Sequence, residues 1–337
     1  MSNAIDQRIR LMDMCDLLTP WALRTAATLR LADHVANGHT TLASLAEAAN
    51  SDPAALSSLL RFLCARGLFS EPEPDVFGLT DMGDVLRDDH PRRLRRWLDL
   101  DGVNARFDLP FTRLIDSVRT GEPAYHLLFG RSFWEDLDAD PDFRAAVHEV
   151  WDARLDRQAE HVAAAYDWSR ITHLVDVGGG SGVQLQAILT RSPQLRATLV
   201  DMQPAADVTR RLRHAGLADR ATAMTASFFD ELPAGADAYF LSEVLHNWRD
   251  ADAQRILCRC ADAVPPGGRV LIVEAVTQDR HDLDLTTQDL RMLVSLGGRE
   301  RCLDDWRELT ARSGLRVTGV LGTGTDVSII ECVPAGP

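Results

Sequence analysis

The chain has 337 residues, 45% of them hydrophobic and 26% charged, with a formal net charge of -14 at pH 7. Such a length and composition are typical of a globular protein with one large domain or two ordinary ones. The acidic balance disfavours nonspecific nucleic-acid binding, which normally needs a basic surface, and no run of about 18 apolar residues predicts a membrane span.

The first twenty residues, MSNAIDQRIRLMDMCDLLTP, lack the basic start and the apolar run of a signal peptide. The six cysteines are scattered, which in a chain of this length favours reduced thiols over a disulfide framework. Cys258 and Cys260 have no second Cys or His pair at zinc-finger spacing, so we interpret them as structural residues of a helix. We therefore expect a cytoplasmic protein that does not associate with a membrane.

Residues 1–100 have the pattern of a helical domain. The apolar run from Thr19 to Ala36 predicts one long helix. Asp52, with a proline after it, predicts the start of a helix over 54–65. The segment LFSEPEPDVFGLT that follows alternates and turns like a short hairpin. Helices followed by a small hairpin are typical of a winged-helix domain.

The pattern of residues 101–168 predicts amphipathic helices that carry many aromatic side chains. Most such side chains belong to a hydrophobic core, and a few could line a flat apolar pocket. From His173 onward, short apolar strands alternate with helices, which predicts a mostly parallel sheet with helices on both faces. The last two strands, VTGVLG and DVSIIECV, are separated by a short turn, so we expect an antiparallel hairpin at the sheet edge.

The segment Asp176-Val-Gly-Gly-Gly-Ser-Gly182 follows the first of these strands and precedes a helix. Glycines at this place permit a tight turn and let the backbone approach a ligand closely. Asp201, at the end of the next strand, is placed to accept hydrogen bonds from a ribose diol. The pattern predicts a nucleoside-containing ligand; the alternative is a turn whose glycines serve only tight packing.

The glycine spacing distinguishes between nucleoside ligands. The dinucleotide fingerprint G-x-G-x-x-G would need a glycine at Val183 or at Leu185. The acid at the front of the loop, Asp176, suits a cationic amino-acid group better than a pyrophosphate. The loop therefore disfavours a nicotinamide enzyme.

The motif D-V-G-G-G-S-G resembles the first motif of class I S-adenosylmethionine methyltransferases. Together with SFFDELPAGADAYFLSEVLHNW, PPGGRVLIVEAV and DLRMLVSLGGRER, it closely resembles the plant caffeate-type small-molecule O-methyltransferases. More specifically, it is similar to their actinobacterial relatives that tailor aromatic polyketides and related natural products, including naphthoate O-methyltransferases. The resemblance covers nearly the whole chain. It implies a homodimer with a winged-helix dimerisation domain over 1–100, a helical linker and substrate-pocket region over 101–168, and an α/β Rossmann-like methyltransferase domain over 169–337.

The resemblance identifies His246, in the sequence Leu-His-Asn-Trp, as the general base. A phenol has a pKa of about 10 and is mostly neutral at pH 7, and a neutral imidazole can take its proton as the new bond to oxygen forms. Glu274 and Glu300 match family acids that flank this histidine and could hold its tautomer. The alternatives are that Glu274 only caps a strand and that Glu300 belongs to a salt-bridged loop.

Further site residues follow from the resemblance alone. The implied cofactor contacts are Asp176, Gly178, Gly180, Asp201, Met202, Ser227, Phe228 and Ser242. The implied substrate contacts are Trp97, Phe107, Phe133, Trp134, Asn247, Met292 and Leu293. For the aromatic and aliphatic members of this second set, core packing is the alternative. Arg8 and Arg10 are further candidates if their segment closes over a partner's pocket.

Three of these residues depart from the family pattern. Ser227 stands where the family often has Asp, Ser242 stands where plant members have Lys, and Asn247 stands where Asp is usual. A serine can still form a hydrogen bond with an adenine amine, although a weaker one than a carboxylate forms. The change at Asn247 removes a charge next to the histidine.

The sequence thus predicts S-adenosylmethionine-dependent O-methylation of a phenolic hydroxyl on a small aromatic, polyketide-like molecule. We find no sequence pattern that indicates a catechol-binding magnesium site, so we expect no metal. N-methylation and a non-methylating activity of the same scaffold, such as hydroxylation or decarboxylation, are alternatives. A winged-helix DNA-binding regulator is an alternative of another class. It is disfavoured because the helix that would contact DNA, residues 54–67, has only two basic residues, Arg61 and Arg66.

Overall fold

The computed structural model describes residues 11–202, 205–277 and 279–336. The chain forms two compact units, Met1–Leu109 and Pro110–Pro337. The boundary between them falls inside the region 101–168. The predicted three-part division of the chain stays a prediction.

The N-terminal unit consists of short helices and one hairpin. Its helices are α1 (Leu18–Thr28), α2 (Leu31–Ala36), α3 (Leu42–Ala48), α4 (Pro53–Ala65), α5 (Asp81–Asp84), α6 (Leu94–Leu98) and α7 (Ala105–Asp108). Strands β1 (Phe69–Glu73) and β2 (Val76–Leu79) pair antiparallel. The Asp52 carboxylate accepts a hydrogen bond from Ala55 N at 2.9 Å and caps α4, as predicted. These elements confirm the predicted winged-helix pattern.

The prediction of one helix from Thr19 to Ala36 is wrong. The chain breaks at Arg30, whose φ of 53° lies in the left-handed region. A left-handed residue cannot continue an α-helix, so α1 ends and α2 starts as a separate helix. The break places Leu31 and Ala32 in the core of the unit, so tertiary packing overrides the helix propensity of this run.

The C-terminal unit is an α/β domain. Its helices are α8 (Leu114–Thr120), α9 (Tyr125–Phe129), α10 (Phe133–Ala139), α11 (Pro141–Ala165), α12 (Val183–Arg191), α13 (Ala205–His214), α14 (Asp250–Ala263), α15 (Leu283–Ser295) and α16 (Leu303–Arg312). Its strands are β3 (His173–Val177), β4 (Arg196–Asp201), β5 (Ala221–Thr225), β6 (Ala238–Ser242), β7 (Arg269–Glu274), β8 (Leu315–Gly322) and β9 (Ser328–Pro334). They form one sheet in the order β5-β4-β3-β6-β7-β9-β8. The first five strands in this order pair in parallel, and β9 pairs antiparallel with β7 and β8, which confirms the predicted sheet with its C-terminal hairpin.

Apolar side chains cover both faces of this sheet. Leu174 and Phe240 belong to the cluster on one face, and Val175 and Ile272 to the cluster on the other. Strand β3 pairs with β4 on one side and with β6 on the other. The strand order of the sheet therefore reverses at β3. In open α/β sheets, ligands bind outside the carboxyl ends of the strands at such a switch point. The loops that follow β3 and β6 are therefore where a site is expected.

The six cysteines are free thiols. Cys258 and Cys260 lie on α14, and Cys260 is buried in a core cluster against the sheet, which supports their interpretation as structural residues. No helix within the described ranges is long and apolar enough to cross a bilayer.

Candidate active site

A loop of closely packed backbone follows β3. Gly178 and Gly180 have φ values of 74° and 55°, in the left-handed region that favours glycine. A Cβ atom on Gly178 would lie 2.9 Å from Val244 Cγ2, so a larger residue would not fit between this loop and the segment after β6. Gly180 N donates a hydrogen bond to Asp201 Oδ2 at 2.8 Å, which joins the loop to the end of β4. These contacts bring the glycine loop, Asp201 and the segment after β6 to one edge of the sheet.

Asp176 is a buried acid at this edge. The residue is 1% exposed, and its Oδ2 atom has no hydrogen-bond partner among the described residues. Burial, reinforced by the negative charge of Asp201, raises the pKa of Asp176 to about 8. Ser242 Oγ, at the end of the neighbouring strand β6, is likewise buried and has no partner in the described part of the chain. Because unpaired buried polar atoms are costly, these residues fit a ligand that brings a cationic hydrogen-bond donor to a nucleoside site.

The other predicted cofactor contacts extend the same edge. The Phe228 ring lies beside the glycine loop and meets Trp248 edge to face, with ring centroids 5.8 Å apart. Met202 follows β4 and is 59% exposed, so its thioether can contact a ligand. Ser227 Oγ accepts a hydrogen bond from Phe229 N at 3.2 Å, which stabilises the local turn.

His246 lies in a short 3₁₀ turn, Leu245–Asn247, that follows β6. Its Nδ1 is 3.0 Å from Glu274 Oε2, at the end of β7, and 3.5 Å from Glu300 Oε1. The other oxygen of Glu274, Oε1, accepts hydrogen bonds from Leu245 N at 2.9 Å and His246 N at 3.2 Å. One carboxylate therefore holds both the backbone of the turn and the imidazole ring. Since Nδ1 faces the acids, Nε2 is the ring nitrogen left to face a ligand.

The charges of this region shift the pKa values of His246 and Glu300. Burial alone would lower the pKa of His246, but the charges of Glu274 and Glu300 outweigh it and raise that pKa to about 9. Burial raises the pKa of Glu300 to about 7, with the charge of His246 opposing the shift and that of Glu274 adding to it. The exposed fractions of the His246, Glu274 and Glu300 side chains are 16%, 0% and 5%. Around neutral pH, proton binding at His246 and at Glu300 is therefore linked.

The structure brings both predicted acids to the histidine ring, where each does more than cap a strand or join a salt-bridged loop. The Nδ1 atom and one oxygen from each carboxylate lie within 4.8 Å of one another. One imidazole nitrogen and two carboxylates are also a ligand set that a divalent cation can use. The predicted absence of a metal stays a prediction.

Four of the predicted substrate contacts lie on helices of the C-terminal unit. Trp134 stacks on Trp248 with ring centroids 5.2 Å apart and an interplanar angle of 4°. Phe133 is 1% exposed and packs edge to face against other aromatic rings, so its surroundings are those of a core residue. Met292 and Leu293 are half-buried on α15.

The remaining predicted substrate contacts lie elsewhere. Asn247 Nδ2 donates a hydrogen bond to Glu243 O at 3.2 Å, so this amide stabilises the turn that carries the histidine. Trp97 and Phe107 belong to the N-terminal unit, and their role in a pocket stays a prediction. Arg8 and Arg10 lie outside the described residues.

Glu243 is an acid of this region that the sequence analysis missed. Its φ of 53° is unusual for a residue other than glycine and is typical of a site where the fold imposes the backbone conformation. Its carboxylate accepts hydrogen bonds from Arg154 Nε and Gln158 Nε2 of α11, both at 2.7 Å. Its charge adds to those that raise the pKa of His246. No local signal could have identified it, because these partners are 89 and 85 residues away in the sequence.

Known proteins share both the sequence pattern and the fold. The family model of the O-methyltransferase domain matches residues 111–316, and the family model of the O-methyltransferase dimerisation domain matches residues 10–89. The chain is 48% identical over 310 residues to the 2,7-dihydroxy-5-methyl-1-naphthoate 7-O-methyltransferase of Streptomyces carzinostaticus, covering 92% of this chain and 93% of the relative. It is 43% identical over 337 residues to the aclacinomycin 10-hydroxylase RdmB of Streptomyces purpurascens, covering 97% and 90%. Among solved structures, the chain matches the O-methyltransferase NcsB1 from neocarzinostatin biosynthesis, in complex with S-adenosylmethionine and 2-hydroxy-5-methyl naphthoic acid. The TM-score is 0.87 and the sequence identity is 46%, and the match covers 96% of this chain and 98% of that one.

Proposed function

The chain belongs to the O-methyltransferase family, and from that premise we propose that it transfers a methyl group from S-adenosylmethionine to a phenolic hydroxyl of a small aromatic, polyketide-like natural-product intermediate. One observation carries the proposal: a buried acid with an unpartnered oxygen, Asp176, lies near the carboxyl end of β3, and an acid-held histidine, His246, follows the neighbouring strand β6. The 48% identity to a naphthoate O-methyltransferase supports a hydroxylated aromatic acid as the acceptor.

The glycine-loop region would bind the cofactor. When bound, S-adenosylmethionine supplies a methyl group on a positively charged sulfur, which an oxygen nucleophile can displace. Asp176 would hold the ammonium group of the amino-acid part, because that charge compensates a buried carboxylate. Asp201 would accept hydrogen bonds from the ribose hydroxyls, and Phe228 and Met202 offer apolar surface to the adenine.

His246 would act as the general base. It would accept the phenol's proton at Nε2, since the two carboxylates hold Nδ1. Glu274 and Glu300 would stabilise the imidazolium that forms. The remaining contribution of the chain is orientation, because the oxygen, the methyl carbon and the sulfur must lie in a line.

A transfer assay tests this proposal. The full chain is incubated with methyl-labelled S-adenosylmethionine and a panel of hydroxynaphthoates, hydroxybenzoates, anthracyclines, flavonoids and matched aromatic amines, and the products are identified by mass spectrometry. We expect label on a phenolic oxygen of at least one hydroxynaphthoate. Label on the amines alone would favour N-methylation, and no label on any acceptor would contradict methyl transfer to these classes.

Hydroxylation on the same scaffold is the second candidate, because the chain is 43% identical to the aclacinomycin 10-hydroxylase RdmB. The same assay separates the two activities, since methylation adds one CH₂ unit to the acceptor and hydroxylation adds one oxygen atom. The His246 trio supports methylation, because a base held by two acids serves proton removal from a phenol.

The charge distribution of the N-terminal unit weighs against the DNA-binding alternative. Arg61 pairs with Glu71 at 3.4 Å and with Asp75 at 3.1 Å, and Arg66 pairs with Asp16 at 3.6 Å. These acids offset the cations that a DNA backbone would need. A gel-shift assay with random DNA should therefore show no salt-sensitive tight binding.

We propose that the chain forms a homodimer through its N-terminal unit. We also propose that the protein is located in the cytoplasm. Residues 10–89 match the dimerisation domain of the family. Several large apolar side chains of the described N-terminal segment are strongly exposed, namely Met12 (65%), Met14 (83%), Leu17 (67%) and Leu18 (69%). Such a patch is typical of a surface that another chain covers. Light scattering should give twice the chain mass, and the variant Leu17→Glu should reduce it.

A further inference from the structure

Arg301 is a fully buried cation next to Glu300 in the sequence. Its side chain is 0% exposed, and arginine is almost never buried to this extent unless it is paired. It pairs with Asp250, whose Oδ1 lies 3.0 Å from Arg301 Nε and 2.9 Å from Nη2. The guanidinium also lies over the Trp306 ring, with Cζ 5.2 Å from the centroid. These contacts fix the plane of the guanidinium.

The same guanidinium donates hydrogen bonds to the backbone on both sides of His246. Arg301 Nη1 donates to Leu245 O at 2.9 Å, and Nη2 donates to Trp248 O at 2.8 Å. Leu245 directly precedes the histidine, and Trp248 follows it by two positions. Only a planar group with several donors can bond both carbonyls and the Asp250 carboxylate at once, which a lysine ammonium cannot do in the same geometry.

We propose that Arg301 is a positioning residue that fixes the backbone on both sides of His246, so that Nδ1 stays on the two carboxylates and Nε2 stays aimed at the acceptor. The inference rests on the proposed role of His246 as the base. Glu300 and Arg301 then act as a pair: the first contacts the ring, and the second holds the turn that carries it. Such an arrangement matters because small displacements of a reacting group can lower a rate by orders of magnitude.

The first test compares Arg301→Lys with Arg299→Lys. Arg299 lies in the same segment and pairs with the same acid, Asp250 Oδ2, at 3.1 Å through its Nη1 atom, so its variant controls for the loss of an arginine and of an ion pair. Each variant is assayed on two acceptors that share a skeleton: a phenol that is neutral at the assay pH and a nitro-substituted phenol that is already ionised.

The variants are compared on the high-pH plateau of kcat, where the His246 ring is neutral in all of them. There we expect Arg301→Lys to lower kcat on the neutral phenol by roughly tenfold or more, and to leave kcat on the ionised phenol within about twofold of the original protein, because the ionised oxygen needs no base. Arg299→Lys should leave both rates close to those of the original protein. Equal losses on both acceptors for Arg301→Lys would indicate general damage and would overturn the proposal, and so would no loss on either.

The second test needs no turnover. The ring of His246 is titrated by ¹⁵N NMR and is assigned by its absence in His246→Gln. Because contact with the two carboxylates raises the pKa of His246, loosening that contact in Arg301→Lys should move the midpoint down towards the ordinary value of about 6.5, whereas Arg299→Lys should not move it. An unchanged midpoint in Arg301→Lys would overturn the positioning role even if the chain transfers no methyl group.

The two assays also separate this inference from the proposed function. If His246→Gln lowers the rates on neutral and ionised phenols equally, the role of His246 as a base fails, whatever Arg301 does to the ring. If His246→Gln affects the neutral phenol selectively and Arg301→Lys does not, only the positioning role fails.

Discussion

Two acidic regions lie at the carboxyl edge of the same sheet, and they differ in how their buried charge is compensated. At the glycine loop, Asp176 Oδ2 has no hydrogen-bond partner among the residues described, and burial raises the pKa of the acid to about 8. At the histidine turn, Glu274 and Glu300 lie against His246. Under the proposed function, a cationic ligand would compensate the buried acid of the first region, whereas the second region carries its own titratable partner. Cofactor binding and proton transfer should therefore respond to different substitutions.

His246→Gln should have the largest effect on the histidine region. Loss of the base should lower kcat on a neutral phenol by roughly 100-fold or more, while the affinity for S-adenosylhomocysteine stays within about twofold, because the glycine loop is intact. Steady-state kinetics and calorimetry measure the two quantities. An unaltered kcat would remove His246 from the role of base, and a lost affinity would show that the two regions are not separable.

The pH dependence of the original protein sharpens the same contrast. Since the pKa of His246 is raised to about 9, the neutral ring is scarce at pH 7 and abundant at pH 9. The kcat/KM for a weakly acidic phenol should thus rise more than tenfold over this range. In Glu300→Gln the rise should shift to lower pH, because the charge of Glu300 helps to raise the pKa of His246. A profile identical in both proteins would contradict the coupling.

Asp176→Asn tests the glycine-loop region. Loss of the charge-assisted contact should weaken binding of S-adenosylhomocysteine by roughly tenfold. The folded-state pKa of about 8 lies above the ordinary 3.8. Between pH 4 and pH 8 the carboxyl therefore ionises in the unfolded chain but stays protonated in the folded one, so the stability of the unliganded fold falls progressively over this range. The variant should therefore melt a few degrees higher than the original protein at pH 8 and show no gain near pH 4.

Asp230→Asn, at an exposed position, provides the control for Asp176→Asn. It should change neither the affinity nor the melting temperature. If Asp176→Asn raises the melting temperature but does not weaken cofactor binding, the buried acid does not contact the ammonium group of the cofactor.

Glu243→Gln should have the smallest effect. The glutamine amide can keep one hydrogen bond with α11. The substitution removes a negative charge that helps to raise the pKa of His246. The pH profile of kcat/KM should shift down by less than it does in Glu300→Gln, with kcat at its plateau changed by no more than a few fold. A shift larger than that of Glu300→Gln would reverse the assigned ranking of the acids.

Local signals explain most of what the sequence predicted. The cap at Asp52, the glycine loop after β3 and the C-terminal hairpin depend on residues close together in the chain, and the structure contains all three. The break at Arg30 was missed because nothing in the apolar run around it marks a left-handed residue. There the packing of the N-terminal core decides the backbone conformation.

Contacts between distant parts of the chain explain what was missed. Arg301 meets the backbone of the histidine turn 53 and 56 residues away, and Glu243 meets α11 more than 80 residues away. Such pairs are formed by the topology of the sheet and leave no spacing in the sequence. The trio of His246, Glu274 and Glu300 was predicted only through the resemblance to a family, since its members come from three separate segments.

Calorimetric titration of the folded chain with S-adenosylhomocysteine tests the central claim most directly. One binding event per chain is the predicted result, with weaker binding in Asp176→Asn and unchanged binding in His246→Gln. If no heat of association is found at two well-separated temperatures, the glycine loop does not bind this nucleoside, and the assignment of the sheet edge as a methyl-transfer site is contradicted.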